Sequence, residues 1–157
     1  MKKNNLTDIL IWIIGTELVG VLSALLSGGF TDFYNTLERP PLQPPAWVFP
    51  VVWTILYAVM GYSAYLVSSS DSSHDCRKKA LRLYFIQLAL NFSWSIVFFR
   101  FGQLWAAFVV LILLLTAVIA MVICFCKISP TAAYINIPYI IWLCFAAYLN
   151  LAAALLN

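Results

Sequence analysis

Trp53, Trp94 and Trp142 each lie in a different long apolar stretch of this chain, and each is flanked at helical spacing by further aromatic or hydrogen-bonding residues. Pro50, Trp53, Tyr57, Met60 and Ala64 recur at three- and four-residue steps and so share one helix face. Gln87, Asn91, Trp94, Ser95 and Phe98 form a second stripe that puts amides and hydroxyls at membrane depth, and Tyr139, Trp142, Ala146 and Asn150 form a third, just after Pro138. Polar groups at that depth must satisfy one another or line a cavity. Aromatic faces with a few hydrogen-bonding groups, converging from three helices, are what a small-molecule pocket requires. The competing reading is structural, because Trp and Tyr gather at membrane interfaces and Asn often only ties helices together. The combined pattern on three separate segments favours the pocket.

The lead-in to the first of these stripes is rigid. In Arg39 to Tyr62, RPPLQPPAWVFPVVWTILYAVMGY, each proline fixes its own φ and biases its predecessor towards extended geometry. Pro40-Pro41 and Pro44-Pro45 therefore predict a stiff ramp over a helix that starts near Ala46, with Trp47, Trp53 and Tyr57 beneath it. Arg39, Pro44 and Pro45 are expected to cover the pocket. Glu17 is an isolated oddity: a carboxylate within an apolar span is costly and suggests either proton coupling or a protonated side chain bonded to a neighbouring helix.

The elements that must position these groups follow from composition. The chain has 157 residues, 64% hydrophobic and only 10% charged, which excludes a water-soluble domain and points to the bilayer as solvent. A helix needs roughly 20 apolar residues to cross a ~30 Å hydrocarbon core, and five stretches qualify: 9–26, 46–67, 80–101, 104–125 and 132–156. The expected fold is an all-α integral membrane protein, a single bundle of five transmembrane helices covering 1–157, with a ligand-covering loop at 27–45. The first span lacks a cleavage pattern and carries Glu17, so it reads as a permanent helix. Gly20, Ala24 and Gly28 give that helix a smooth ridge suited to close helix contact, within the bundle or in a dimer.

Basic residues divide unevenly. Lys2, Lys3, Arg77, Lys78, Lys79, Arg82 and Lys127 lie on the N-terminal side of the bundle, and only Arg39 and Arg100 on the other, which predicts a cytoplasmic N-terminus and an outward C-terminus. The net charge of +3 resides mostly in this bias and reports orientation rather than nucleic-acid binding. Cys76, Cys124, Cys126 and Cys144 show no CxxC spacing, so no metal site and no disulfide framework is expected. His74 stands in the polar run SSSDSSHDCRKK, which reads as a solvated, mobile loop.

Four blocks resemble the TspO/MBR family, the tryptophan-rich sensory proteins and the mitochondrial translocator protein, also called the peripheral benzodiazepine receptor. They are FYNTLERPPLQPPAWVF from Phe33, VWTILYAVMGYSAYLV from Val52, QLALNFSWSIVFF from Gln87 and PYIIWLCFAAYLN from Pro138. The resemblance implies a five-helix bundle, usually homodimeric, whose pocket opens beneath the first loop and takes porphyrins, steroid-like lipids and isoquinoline or benzodiazepine drugs. By position the implied ligand-binding residues include Phe49, Trp53, Tyr57, Asn91, Trp94, Trp142 and Ala146; Trp47, Tyr139 and Asn150 join them from the ramp and the helix faces. Trp53 and Trp142 match the tryptophans that the family's bacterial members are proposed to use in degrading protoporphyrin, where indoles stack on the macrocycle and exchange electrons or protons with its excited state. The implied ligand is protoporphyrin IX or a related tetrapyrrole, with no cofactor required, and Arg39 is placed to meet a propionate unless it is simply solvated.

The sequence departs from the family where tryptophan is common at the positions of Phe33 and of Pro41 or Leu42. The animal cholesterol motif is also missing, because Leu149 is followed by Asn150, Leu151 and an uncharged tail. Short polar termini favour a bacterial plasma membrane over a mitochondrion. A rival function, a small proton-coupled drug exporter using Glu17, shares the intramembrane carboxylate and the tryptophan-rich pocket; such exporters have four helices and no PPxxPPxW ramp.

Overall fold

A chain in hydrocarbon must satisfy its backbone hydrogen bonds internally, and apolar runs of this length do so as helices. The computed structural model describes residues 5–28, 32–38 and 40–157. Among them are five helices long and apolar enough to cross a membrane. They are α1 (Leu6–Leu26), α3 (Val48–Ser68), α4 (His74–Ser95, prolonged by a π turn at Ile96–Arg100), α5 (Leu104–Cys126) and α7 (Ile137–Leu156). Two short helices, α2 (Asp32–Thr36) in the first loop and α6 (Pro130–Tyr134) just before α7, complete the set.

The third span begins at His74 rather than Ala80, so half of the serine-rich run read as a mobile loop is helical. Ser73 caps this helix by accepting from the Cys76 N–H, and Asp75 sits in the first turn, where a negative charge meets the positive end of the helix dipole. The fifth span is broken. Pro138 has no N–H to return to the Tyr134 carbonyl, so the helix entering at Pro130 stops at Tyr134 and α7 starts afresh. Buried Asn136 holds the break together, its Nδ2 donating to Ser63 Oγ at 2.6 Å and to the Ala132 carbonyl at 2.7 Å. At the end of α4 the Phe101 N–H reaches back five residues to Ile96, which defines the π turn.

Helix α1 packs chiefly on α3, while α5 lies between α4 and α7. The α1–α3 contact depends on Gly61, where an added Cβ would stand 2.7 Å from Ile13 Cα and 2.8 Å from the Trp12 carbonyl. The expected small-residue ridge on α1 is used only in part. Gly20 accepts the Tyr57 ring, but Gly28 lies past the helix end with φ at +84° and nothing against it. Hydroxyls stitch α1 to α4: Thr16 bonds Tyr84, and Ser23 Oγ donates to the Phe92 carbonyl at 3.1 Å.

Replacing Gly61 by leucine forces side-chain atoms into the α1 backbone and is expected to destabilise the bundle by about 1–3 kcal/mol. Gly15→Ala, at a site with no atom within 4 Å of the new methyl, leaves stability intact. Thermal unfolding in detergent, followed by circular dichroism, distinguishes the two.

Candidate functional site

The inner faces of α3, α4 and α7 meet around Trp53. Its ring centroid lies 5.8 Å from Tyr57, 6.3 Å from Trp94, 6.2 Å from Tyr139 and 6.5 Å from Trp142, the last pair being perpendicular. The pairs with Tyr139 and Trp142 are edge-to-face, a favourable arrangement for aromatic rings, and those with Tyr57 and Trp94 are tilted. Phe49 extends the wall from Trp142 at 5.9 Å, and Phe98 and Phe99 extend it from Trp94 at 5.5 and 5.9 Å.

Beneath the rings runs a chain of buried hydrogen bonds. The Tyr57 hydroxyl donates to Asn91 Oδ1 at 3.2 Å, Asn91 Nδ2 donates to the Tyr139 hydroxyl at 2.9 Å, and that hydroxyl donates to Gln87 Oε1 at 2.9 Å. Gln87 ends the chain on the Met60 sulfur at 3.5 Å. A second pair fixes the opposite end of the wall: Trp94 Nε1 donates to Asn150 Oδ1 at 3.2 Å, and Asn150 Nδ2 to the Leu104 carbonyl at 2.9 Å. Each tie joins separate helices, so the amide-rich stripes serve first to lock the wall in place.

Between this wall and the first loop is a cavity of about 30 Å³. Phe49, Trp94, Ala146 and Asn150 line it together with Leu37, Pro40, Gln43, Phe98, Phe99, Leu149 and Ala153. Trp53 and Trp142 stand immediately behind Phe49 and Trp94, while Tyr57, Asn91 and Tyr139 lie deeper, in the polar chain. Trp47 stays outside the group, 67% exposed just ahead of α3. Pro44 is half-buried and Pro45 exposed in the loop, and Arg39 lies outside the described residues. Leu37, Gln43 and Phe99 were missed by sequence reasoning; Gln43, the one amide between the two proline pairs, carried a readable signal.

The roof is a turn rather than a uniform ramp. The Gln43 N–H donates to the Pro40 carbonyl at 3.3 Å and Leu42 has φ of +65°, the pattern of a type II turn with proline second. Hydrogen bonds tie the roof to α7 and its C-cap: the Tyr148 hydroxyl donates to the Pro41 carbonyl, and the Glu38 N–H to Asn157 Oδ1, both at 2.9 Å. Two buried polar atoms near the cavity have no partner among the described residues, Gln43 Oε1 and Trp142 Nε1. An unmet buried donor or acceptor costs roughly 1–3 kcal/mol.

Glu17 faces a separate crevice of about 180 Å³ between α1 and α3, shared with Gly20, Thr54, Trp53, Tyr57 and Ser95. Of the cysteines, Cys76, Cys126 and Cys144 are exposed and Cys124 is half-buried. His74 lies at the exposed start of α4, beside Asp75 at 3.7 Å.

Residues 12–156 match the sequence profile of the TspO/MBR family. Among similar curated proteins, the tryptophan-rich protein TspO of Chlorobaculum tepidum is 35% identical over 80% of this chain and 79% of its own length. Protein CrtK of Rhodobacter capsulatus is 31% identical over 98% of this chain and 94% of its own. The human translocator protein is 37% identical over 82% of this chain and 76% of its own.

Asn91→Ala removes both the acceptor of Tyr57 and the donor to Tyr139 without touching an aromatic ring. The expected loss is roughly 1–3 kcal/mol of stability, read as a lower unfolding temperature in detergent and as greater mobility of tryptophan fluorescence.

Proposed function

Because this chain belongs to the TspO/MBR family, we propose that it is a membrane receptor that takes protoporphyrin IX and other flat hydrophobic molecules between the first loop and the aromatic wall. The observation that carries the proposal is the meeting of Trp53, Trp94 and Trp142, from three different helices, beside a cavity under the loop. Indole faces offer broad, polarisable area to a planar ring at little conformational cost. Gln43 Oε1 and Trp142 Nε1 offer one acceptor and one donor to the ligand's polar edge.

A cavity of about 30 Å³ holds little more than a water molecule, whereas ligand pockets run to roughly 300–1,000 Å³. Entry therefore requires the roof to lift. The wall is fixed by buried bonds between helices and the roof is held partly by exposed ones, so the loop is the part that yields. In this reading Phe49 and Leu37 part first, and the macrocycle slides against Trp94 with Ala146 leaving room for its edge. With light as energy source and oxygen as oxidant, Trp53 and Trp142 are the groups that would relay electrons during porphyrin breakdown. We assign the protein to a bacterial plasma membrane, N-terminus inside, working as a homodimer. Five spans and the family assignment leave the four-helix exporter reading without support.

Titration of the detergent-solubilised protein with protoporphyrin IX in the dark, read by tryptophan quenching, tests the site. Wild type is expected to saturate. Ala146→Phe, which fills the cavity, and the double variant Trp53→Phe/Trp142→Phe are each expected to bind at least about tenfold more weakly, the equivalent of 1.4 kcal/mol. Unchanged affinity in both would remove the site.

Under illumination in air, a defined porphyrin product is expected from wild type and not from either single variant, Trp53→Phe or Trp142→Phe. Absorbance spectra of the products decide it: equal bleaching with all three proteins would leave binding without catalysis.

A further inference from the structure

Helix α4 changes character along its length. His74, Lys78, Arg82, Phe85, Ala89 and Phe92 follow one another at three- and four-residue steps, so one stripe is basic for about two turns and apolar for about the next two. An open groove of about 720 Å³ runs beside it. The groove's ionisable lining is His74 and the cations Arg77, Lys78 and Arg82, and its deeper part is Leu81, Phe85, Ile86 and Ala89. Phe85 and Ala89 also border a second groove of about 560 Å³ between α4 and α1, lined there by Trp12, Gly15 and Phe92.

Three observations identify the occupant. The first is charge: among the described carboxylates at this end, Asp8, Asp71 and Asp75, none lines the basic groove. Asp75 is fully exposed beside His74, and Arg77 spends one nitrogen on the Ser70 carbonyl at 2.7 Å, leaving Lys78 and Arg82 exposed. The second is length. From Arg82 to Phe92 the helix rises about 15 Å, half of a ~30 Å hydrocarbon core and so the depth of one leaflet. The third is room: Gly15 leaves the trough open, with no atom within 4 Å of where a Cβ would stand.

We propose that these joined grooves seat one anionic phospholipid. Its phosphate lies against Lys78 and Arg82, with Arg77 behind them, and an acyl chain runs past Phe85 and Ala89 into the trough over Gly15. A zwitterionic lipid would turn an ammonium towards the same cations, so the groove selects for net negative headgroups. The lipid bridges α4 to α1, a helix that otherwise leans mainly on α3.

The test uses the full chain in detergent, titrated with phosphatidylglycerol or phosphatidylcholine of identical acyl chains and read by native mass spectrometry and unfolding temperature. One retained phosphatidylglycerol per protomer, bound at least about tenfold more tightly than phosphatidylcholine, is expected, with a raised unfolding temperature. Lys78→Gln/Arg82→Gln is expected to lose the headgroup preference. Gly15→Leu is expected to lose the retained lipid while still quenching with protoporphyrin IX like wild type, which separates this seat from the loop site. Equal retention of both lipids by wild type overturns the proposal, as does a preference that survives the double variant. Inorganic phosphate giving the same stabilisation overturns the acyl seat. A change from dimer to monomer in Gly15→Leu with lipid retention unaltered makes the groove a contact between copies and overturns the proposal as well.

Discussion

A polar side chain inside hydrocarbon has no water to fall back on, and the architecture of this protein follows from how its buried amides and hydroxyls find one another. The run from Tyr57 through Asn91 and Tyr139 to Gln87 crosses from α3 to α4 to α7 and back to α4, with each amide using its donor and acceptor on different groups. Lipid tails supply no hydrophobic preference for one helix arrangement over another. Directional bonds between particular residues do, and they fix the rotation of three helices about their own axes. That rotation is what brings three indoles together.

From this follows a division between a fixed floor and a lightly held roof. The wall of Trp53, Trp94, Trp142 and Phe49 rests on bonds buried among helices, whereas the segment above it turns on Pro40 to Gln43 and is tied through partly exposed bonds to α7. In the proposed function this keeps the recognition surface preorganised and leaves the conformational change to a short loop. The cavity is narrow because Leu37, Pro40 and Gln43 of the loop lie close against the wall.

Much of this was legible in the sequence, and the reasons are physical. Long apolar runs can only be helices in a bilayer, so five spans were readable, and the three- and four-residue steps around Trp53, Asn91 and Tyr139 showed which faces meet. The misses came where local chemistry overrides apolar content. The start of α4 at His74 is set by a serine cap in a segment too polar to count as a span, and the break before α7 is set by one absent N–H at Pro138. The cavity lining from Leu37 and Gln43 depends on how the loop folds over, which no periodicity encodes. Trp47 is off the face that Pro50, Trp53 and Tyr57 share, as its spacing indicates, and it is exposed just ahead of the first helical turn.

Trp53 is a wall with two rooms. One side of its surroundings is the aromatic cluster under the loop; the other is the crevice where Glu17 sits between α1 and α3. The indole therefore belongs to the surroundings of both spaces, packing on Trp94 and Trp142 on one side and bordering the Glu17 crevice on the other. The oddly placed carboxylate of the first helix and the aromatic cluster beneath the loop are thus separated by the thickness of a single ring.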